Sequence, residues 1–194
     1  RGTPYIYMGE EIGMLDPDYE SMEQYVDVES LNAYQELIDA GQTEQTAFEI
    51  VKLKSRDNSR TPMQWDSSRF SGFSQVSPWL TVGRTADTIN VANELQTGSI
   101  FSYYQQLIKL RKKYPVISEG SYEAFLPEHP QIYGYIRRLA DHSLLVLNNF
   151  FPQETTIELP EEFSAGEILI DNYQTETYNK KLVLKPYQTI AIYR

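Results

Sequence analysis

The chain has 194 residues, 41% of them hydrophobic, and a formal net charge of −10. With a mean hydropathy of −0.48 and no long apolar run, this describes one large or two small soluble domains, with no helical membrane span and no membrane partner. A pI of about 4.7 without a basic patch argues against nucleic acid as a partner, and the absence of cysteine excludes disulfides, thiolate metal sites and a cysteine nucleophile.

The N-terminal Arg1-Gly2-Thr3-Pro4 carries neither a secretory pattern nor an initiator Met, and reads as the interior of a longer, cytoplasmic protein. Residues 4–8 form an apolar and aromatic run closed by Gly9, which predicts a buried strand, parallel if both faces are covered. Glu10 and Glu11 follow; in an extended run neighbours point to opposite faces, so they should not converge as a catalytic pair. Residues 16–25 are polar and irregular. Val28, Leu31, Tyr34, Leu37 and Ile38 recur at helical spacing, with Gly41 as a natural stop. Thr43 is a good N-cap for a second helix that carries Ala47, Ile50 and Val51 on one face.

Residues 54–66, Lys-Ser-Arg-Asp-Asn-Ser-Arg-Thr-Pro-Met-Gln-Trp-Asp, are too polar for a core segment. Arg56 and Arg60 are rigid forks that can hold carboxylates bidentately. Asp57 and Asn58 offer acceptors, and Trp65 a flat apolar face. This set suits either the bracing of a pocket for a polyhydroxylated ligand or an ion-pair network that only pins a loop. Residues 67–96 are expected to be a long loop. A third helix presents Ile100, Tyr104, Leu107, Ile108 and Arg111 on one stripe, ends before Pro115, and carries a basic stretch at 109–113 that favours the helix dipole.

After that helix the texture changes. Short β-rich runs at 122–126, 132–136, 144–148, 155–159, 167–170, 182–184 and 189–193 are mostly separated by turn formers, the pattern of an antiparallel sandwich. The expected division is 1–117 and 118–194, with the sandwich folding alone. A single strand cannot make a sheet, so the first part is expected to be a torn piece of a larger α/β structure. His129 and His142 are taken as surface or turn histidines; no metal or cofactor is expected.

The segment 54–66, together with 2–14 (Gly-Thr-Pro-Tyr-Ile-Tyr-Met-Gly-Glu-Glu-Ile-Gly-Met), 27–32 (Asp-Val-Glu-Ser-Leu-Asn) and Pro78-Trp79-Leu80 leading to Ile89-Asn90-Val91, resembles the α-glucosidase branch of the α-amylase superfamily, glycoside hydrolase family 13. The likeness covers the whole chain and thins after about Pro130. It implies α/β plus all-β architecture: the C-terminal part of a (β/α)8 barrel, from its eighth strand, followed by an antiparallel β-sandwich. It implies a retaining exo-acting α-glucosidase whose catalytic carboxylates follow earlier strands, so this piece should be inactive alone. By resemblance, Arg56 matches an arginine that reaches the innermost glucose, and Glu29 an acidic residue bordering the next subsite. Arg60, with Asp57, would brace the pocket from behind, and Met8 stands where the family has glutamine.

Trp79 could stack on sugar rings; Trp65 is expected to pack beside Met63. Ser55 and Ser59 are most similar to trehalose-6-phosphate hydrolases; oligo-1,6-glucosidase, dextran glucosidase and sucrose isomerase are the alternatives. The partner implied is a small α-glucoside. The piece itself is expected to self-associate or to pair with the rest of a cleaved enzyme. Tyr133 and Tyr135, with Tyr122 and Tyr173, raise two further readings: a carbohydrate-binding module, or a sandwich that is purely a structural cap.

Overall fold

The computed structural model describes residues 2–194. The chain divides into two compact units, one spanning Tyr5–Ser102 and one formed by Tyr103–Arg194 with the N-terminal residues to Pro4.

The first unit is built on two helices. α1 (Val28–Asp39) starts where the Asp27 side chain accepts from Ser30 N, satisfying one of the orphan donors of the first turn. It stops at Gly41, whose φ of 86° lets Gly41 N reach Ile38 O and Gln42 N reach Leu37 O, a Schellman closure. α2 (Glu44–Lys54) is capped by Thr43 through Thr46 N. Ala47 and Val51 of α2 are buried, as are Ile12, Tyr19, Tyr25, Met63 and Leu80 of the same unit. Tyr25 stacks edge-on against Tyr19 and Phe48.

Two expectations fail here. Residues 4–8 form no strand, and the described part of this unit contains none; Tyr5 is 93% exposed, and Ile6, Tyr7 and Met8 are exposed too. A strand needs a neighbour to take its ladder hydrogen bonds, and the chain supplies none at this point. The expected loop 67–96 contains a short 3-10 turn at Arg69–Gly72 and ends in α3 (Val91–Thr97), which is capped by Asn90 Oδ1 accepting from Asn93 N at 2.9 Å. Asn90 is an ordinary N-cap residue, but a seven-residue helix has too few turns to show a period.

The second unit carries the strands. α4 (Ile100–Lys113) and α5 (Val116–Glu119) lead into β1 (Glu123–Phe125), β2 (Ile132–Leu139), β3 (His142–Asn149), β4 (Thr155–Glu158), β5 (Glu167–Asp171), β6 (Lys181–Leu184) and β7 (Thr189–Tyr193). A five-stranded sheet runs β1-β2-β3-β7-β5, and β4 pairs with β6 in a second sheet. All pairings are antiparallel. Period-two alternation sorts the side chains. Ile132, Ile136, Leu145, Leu147, Ile190 and Ile192 join Ile157, Leu159, Leu182 and Leu184 of the β4-β6 sheet and its flank around Phe163. Each such burial is worth about 1.5–3 kcal/mol. The opposite face sets Leu144, Ile170 and Ala191 against Tyr114 and Val116, with Tyr103 and Leu110 packed on them. The stripe of α4 covered by this sheet therefore runs through Tyr103 and Leu110, whereas Ile100, Leu107 and Ile108 of the expected stripe are exposed. An isolated helix pattern shows that an apolar face exists, not which part of it finds a partner.

Candidate active-site wall

The segment singled out in the sequence begins where α2 ends. Ser55 is the C-cap of α2 and the N-cap of a 3-10 helix at Arg56–Arg60, its Oγ accepting from Asp57 N. This turn throws Asp57 inward, where it is fully buried. Its Oδ2 accepts from Val26 N at 2.8 Å and Asp27 N at 2.9 Å, and its Oδ1 accepts from Arg60 Nη2 at 2.8 Å. The same nitrogen donates to Asp27 Oδ1 at 2.8 Å. One guanidinium thus joins the buried carboxylate of the 3-10 helix to the N-cap of α1. Burial opposes the charge on Asp27, yet hydrogen bonds from Ser30 and Arg60 hold its carboxyl below the ordinary aspartate range. Asn58 Nδ2 donates to Lys52 O at 2.8 Å; Asn58 Oδ1 and Arg60 Nε are buried without a partner among the described residues.

Arg56 leaves the other side of the turn. Its Nη1 lies 3.7 Å from Glu29 Oε2, with side-chain exposures of 68% and 76%. Both residues, with Asp27, Ser30, Lys54 and Ser55, line a shallow cleft of about 140 Å³. Arg56 and Glu29 are therefore neighbours on an open surface, while Arg60 and Asp57 lie in the hydrogen-bonded frame behind them. Asp27 and Ser30 belong to the 27–32 stretch that carries the resemblance, but the sequence gives them no role in the site; the available signal is an N-cap aspartate three residues before Ser30, the spacing of a cap whose acid then has a second oxygen to offer.

Other candidates divide as follows. Trp65 was expected in the core beside Met63 but is half exposed; its main chain is tied to Ser71 and Ala92, which fixes the backbone and leaves the ring outside. Trp79 is exposed, with Arg60 Cζ 5.9 Å from its ring centroid. Glu10 and Glu11 lie on a 3-10 turn rather than an extended run, and Glu11 Oε2 accepts from Gly9 N at 2.8 Å. Tyr122, Tyr133 and Tyr135 form a ring cluster in the second unit, with centroids 5.7 and 5.9 Å apart. Tyr173 is occupied elsewhere, its hydroxyl donating to Pro186 O at 2.7 Å. His129 accepts from Gln131 N and Ile132 N in a turn. Among the described residues no cluster of His, Asp or Glu could hold a metal ion, and no helix is long and apolar enough to cross a membrane.

The model of the α-amylase catalytic domain matches residues 1–120, and that of the α-amylase SusG C-terminal domain matches residues 132–191. The oligo-1,6-glucosidase of Bacillus cereus is 42% identical over 98% of this chain. The trehalose-6-phosphate hydrolase of Bacillus subtilis is 39% identical over all of it. The chain spans about a third, 35%, of the length of each. The crystal structure of Bacillus licheniformis trehalose-6-phosphate hydrolase superposes with a TM-score of 0.91 at 41% identity, covering all of this chain and 36% of that one.

Proposed function

We propose, since this chain belongs to the family of α-amylase catalytic domains, that it is the C-terminal part of a retaining exo-acting α-glucosidase acting on small α-glucosides. The observation that carries this is the identity of 42% with an oligo-1,6-glucosidase across nearly the whole chain. Retaining glycosidases need two carboxylates about 5–5.5 Å apart across the scissile bond. The role proposed here is the pocket wall: Arg56 and Glu29 border the sugar, while Arg60 and Asp57 brace them. A planar fork such as Arg56 can hold a sugar hydroxyl and a carboxylate together. We take residues 1–117 as the end of the barrel domain and 118–194 as the sandwich. A cytoplasmic setting, free of cofactor, goes with this reading.

Trehalose 6-phosphate is the preferred substrate in this proposal, supported by Ser55 and Ser59 and by the likeness to the B. licheniformis hydrolase. Isomaltose-type 1,6-glucosides are the second reading, favoured by the B. cereus relative. The test is to assay the full-length protein that carries this chain against trehalose 6-phosphate, isomaltose and a chromogenic α-glucoside. Turnover of at least one is expected, with the highest kcat/KM on trehalose 6-phosphate. No turnover of any overturns the α-glucosidase proposal, and a preference for isomaltose overturns only the substrate.

A further inference from the structure

Glu29 and Arg56 come from separate stretches of chain, and each has a serine as its neighbour. Ser30 follows Glu29 and Ser55 precedes Arg56, and both serines are buried. Ser30 Oγ lies 2.8 Å from Ser55 Oγ and 3.0 Å from Asp27 Oδ2; with one proton on each hydroxyl, Ser30 can donate to the Asp27 carboxylate while accepting from Ser55. Ser55 Oγ in turn accepts from Asp57 N at 3.2 Å. We propose that this buried serine–serine bridge is a positioning device, setting the separation of the Glu29 carboxylate and the Arg56 guanidinium and hence the width of the sugar subsite they border. The inference rests on the reading above that these two residues face a glucoside.

The Glu29–Arg56 contact cannot hold itself in place. Both side chains are mostly solvated, and an exposed ion pair adds little stability of its own. Their placement must come from the backbones beneath. The bridge gives a direct route from one backbone to the other, through two short side chains with few rotamers, in a buried setting where hydrogen bonds are strong and directional. The wider frame depends on it only through Ser55 Oγ, which also accepts from Asp57 N. Asp57 still holds Val26 N and Asp27 N, and Arg60 still holds Asp27. Loss of one serine hydroxyl should therefore loosen the subsite without unfolding the unit, and displacements near an ångström are enough to impair a bound substrate.

In the full-length protein, Ser30→Ala and Ser55→Ala are expected to raise KM for the best α-glucoside about five- to tenfold, with kcat changed less than about twofold, the scale of one net hydrogen bond. Ser55→Thr, which keeps the hydroxyl, should stay within about twofold of wild type. Arg56→Lys alone should lower kcat/KM by roughly tenfold to a hundredfold, because an ammonium lacks the fork. In that background Ser30→Ala should add less than about twofold, since the group being positioned is gone. Wild-type KM in both alanine variants, or an equal loss with and without Arg56, overturns the bridge and leaves the α-glucosidase reading intact. An inactive wild-type protein overturns that reading and this inference together.

Discussion

Tyr25 is nearly sealed from solvent, and its hydroxyl has no hydrogen-bond partner among the described residues. Such an oxygen has lost its water and gained nothing in return, a cost of about 1–3 kcal/mol. Burial, with the nearby Tyr19 and aspartates, pushes the phenol up to about 12 from an ordinary value of 10.0. The folded state therefore binds this proton more tightly than the unfolded state. The stabilising contribution is complete below about pH 10 and is lost as pH rises through 12. Two outcomes are expected. The Tyr5–Ser102 unit should lose stability across that window, and Tyr25→Phe should flatten the loss while leaving stability at pH 7 unchanged or improved. Thermal melts of both forms between pH 7 and 12 check this; a clear loss of stability at pH 7 in Tyr25→Phe would point to a partner for the hydroxyl.

At the scale of elements, the join between α5 and β2 rests on one cation. Arg137 is 5% exposed, and no ion pair is formed by it among the described residues. Instead its Nε donates to Val116 O at 2.9 Å and its Nη2 to Gly120 O at 2.7 Å. These carbonyls belong to the short helix and its cap; Val116 O also accepts from Gly120 N at 3.2 Å, and the arginine supplies donors at this helix end, where carbonyls lack intrahelical partners. Period-two reading puts Arg137 on the same face as Tyr133 and Tyr135, but periodicity does not tell a buried arginine from a solvated one. Arg137→Leu should cost about 1–3 kcal/mol, chiefly from the lost charged hydrogen bonds and the Gly120 carbonyl left without its donor, and should loosen α5 before the sheet. Urea unfolding gives the first quantity and amide exchange the second; wild-type protection at Gly120 would refute the role.

The whole molecule divides unevenly. Tyr5–Ser102 leaves Tyr5, Ile6, Tyr7, Met8, Leu15, Val28 and Leu31 exposed, and large apolar side chains left in water favour association where they form a contiguous patch. Tyr103–Arg194 has cores on both faces of its larger sheet. The second of these needs Tyr103, Leu110 and Tyr114, which lie before residue 118. A piece covering 103–194 should therefore fold cooperatively and sediment as a monomer, whereas 118–194 should melt at a lower temperature and bind a hydrophobic dye. The complete 194-residue chain should self-associate through its first unit. A monodisperse monomer of the complete chain, or equal melting of the two pieces, would contradict this.

Much of this was already written in the residues. The seven β-runs, the two capped helices and the stop at Gly41 follow from local rules: period, cap chemistry and positive φ act within a few residues. Arg56, Arg60 and Asp57 were visible because that density of forks and acceptors serves no ordinary loop. The tertiary structure decided what local rules do not reach. It left residues 4–8 unpaired, since a strand is defined by a neighbour. It chose Tyr103 and Leu110 over the expected stripe of α4, and left Trp65 outside. It also turned Asp57 inward to meet Asp27, and set Ser30 against Ser55. Those contacts join segments far apart in the chain, and their energy exists only once the backbone has brought both ends together.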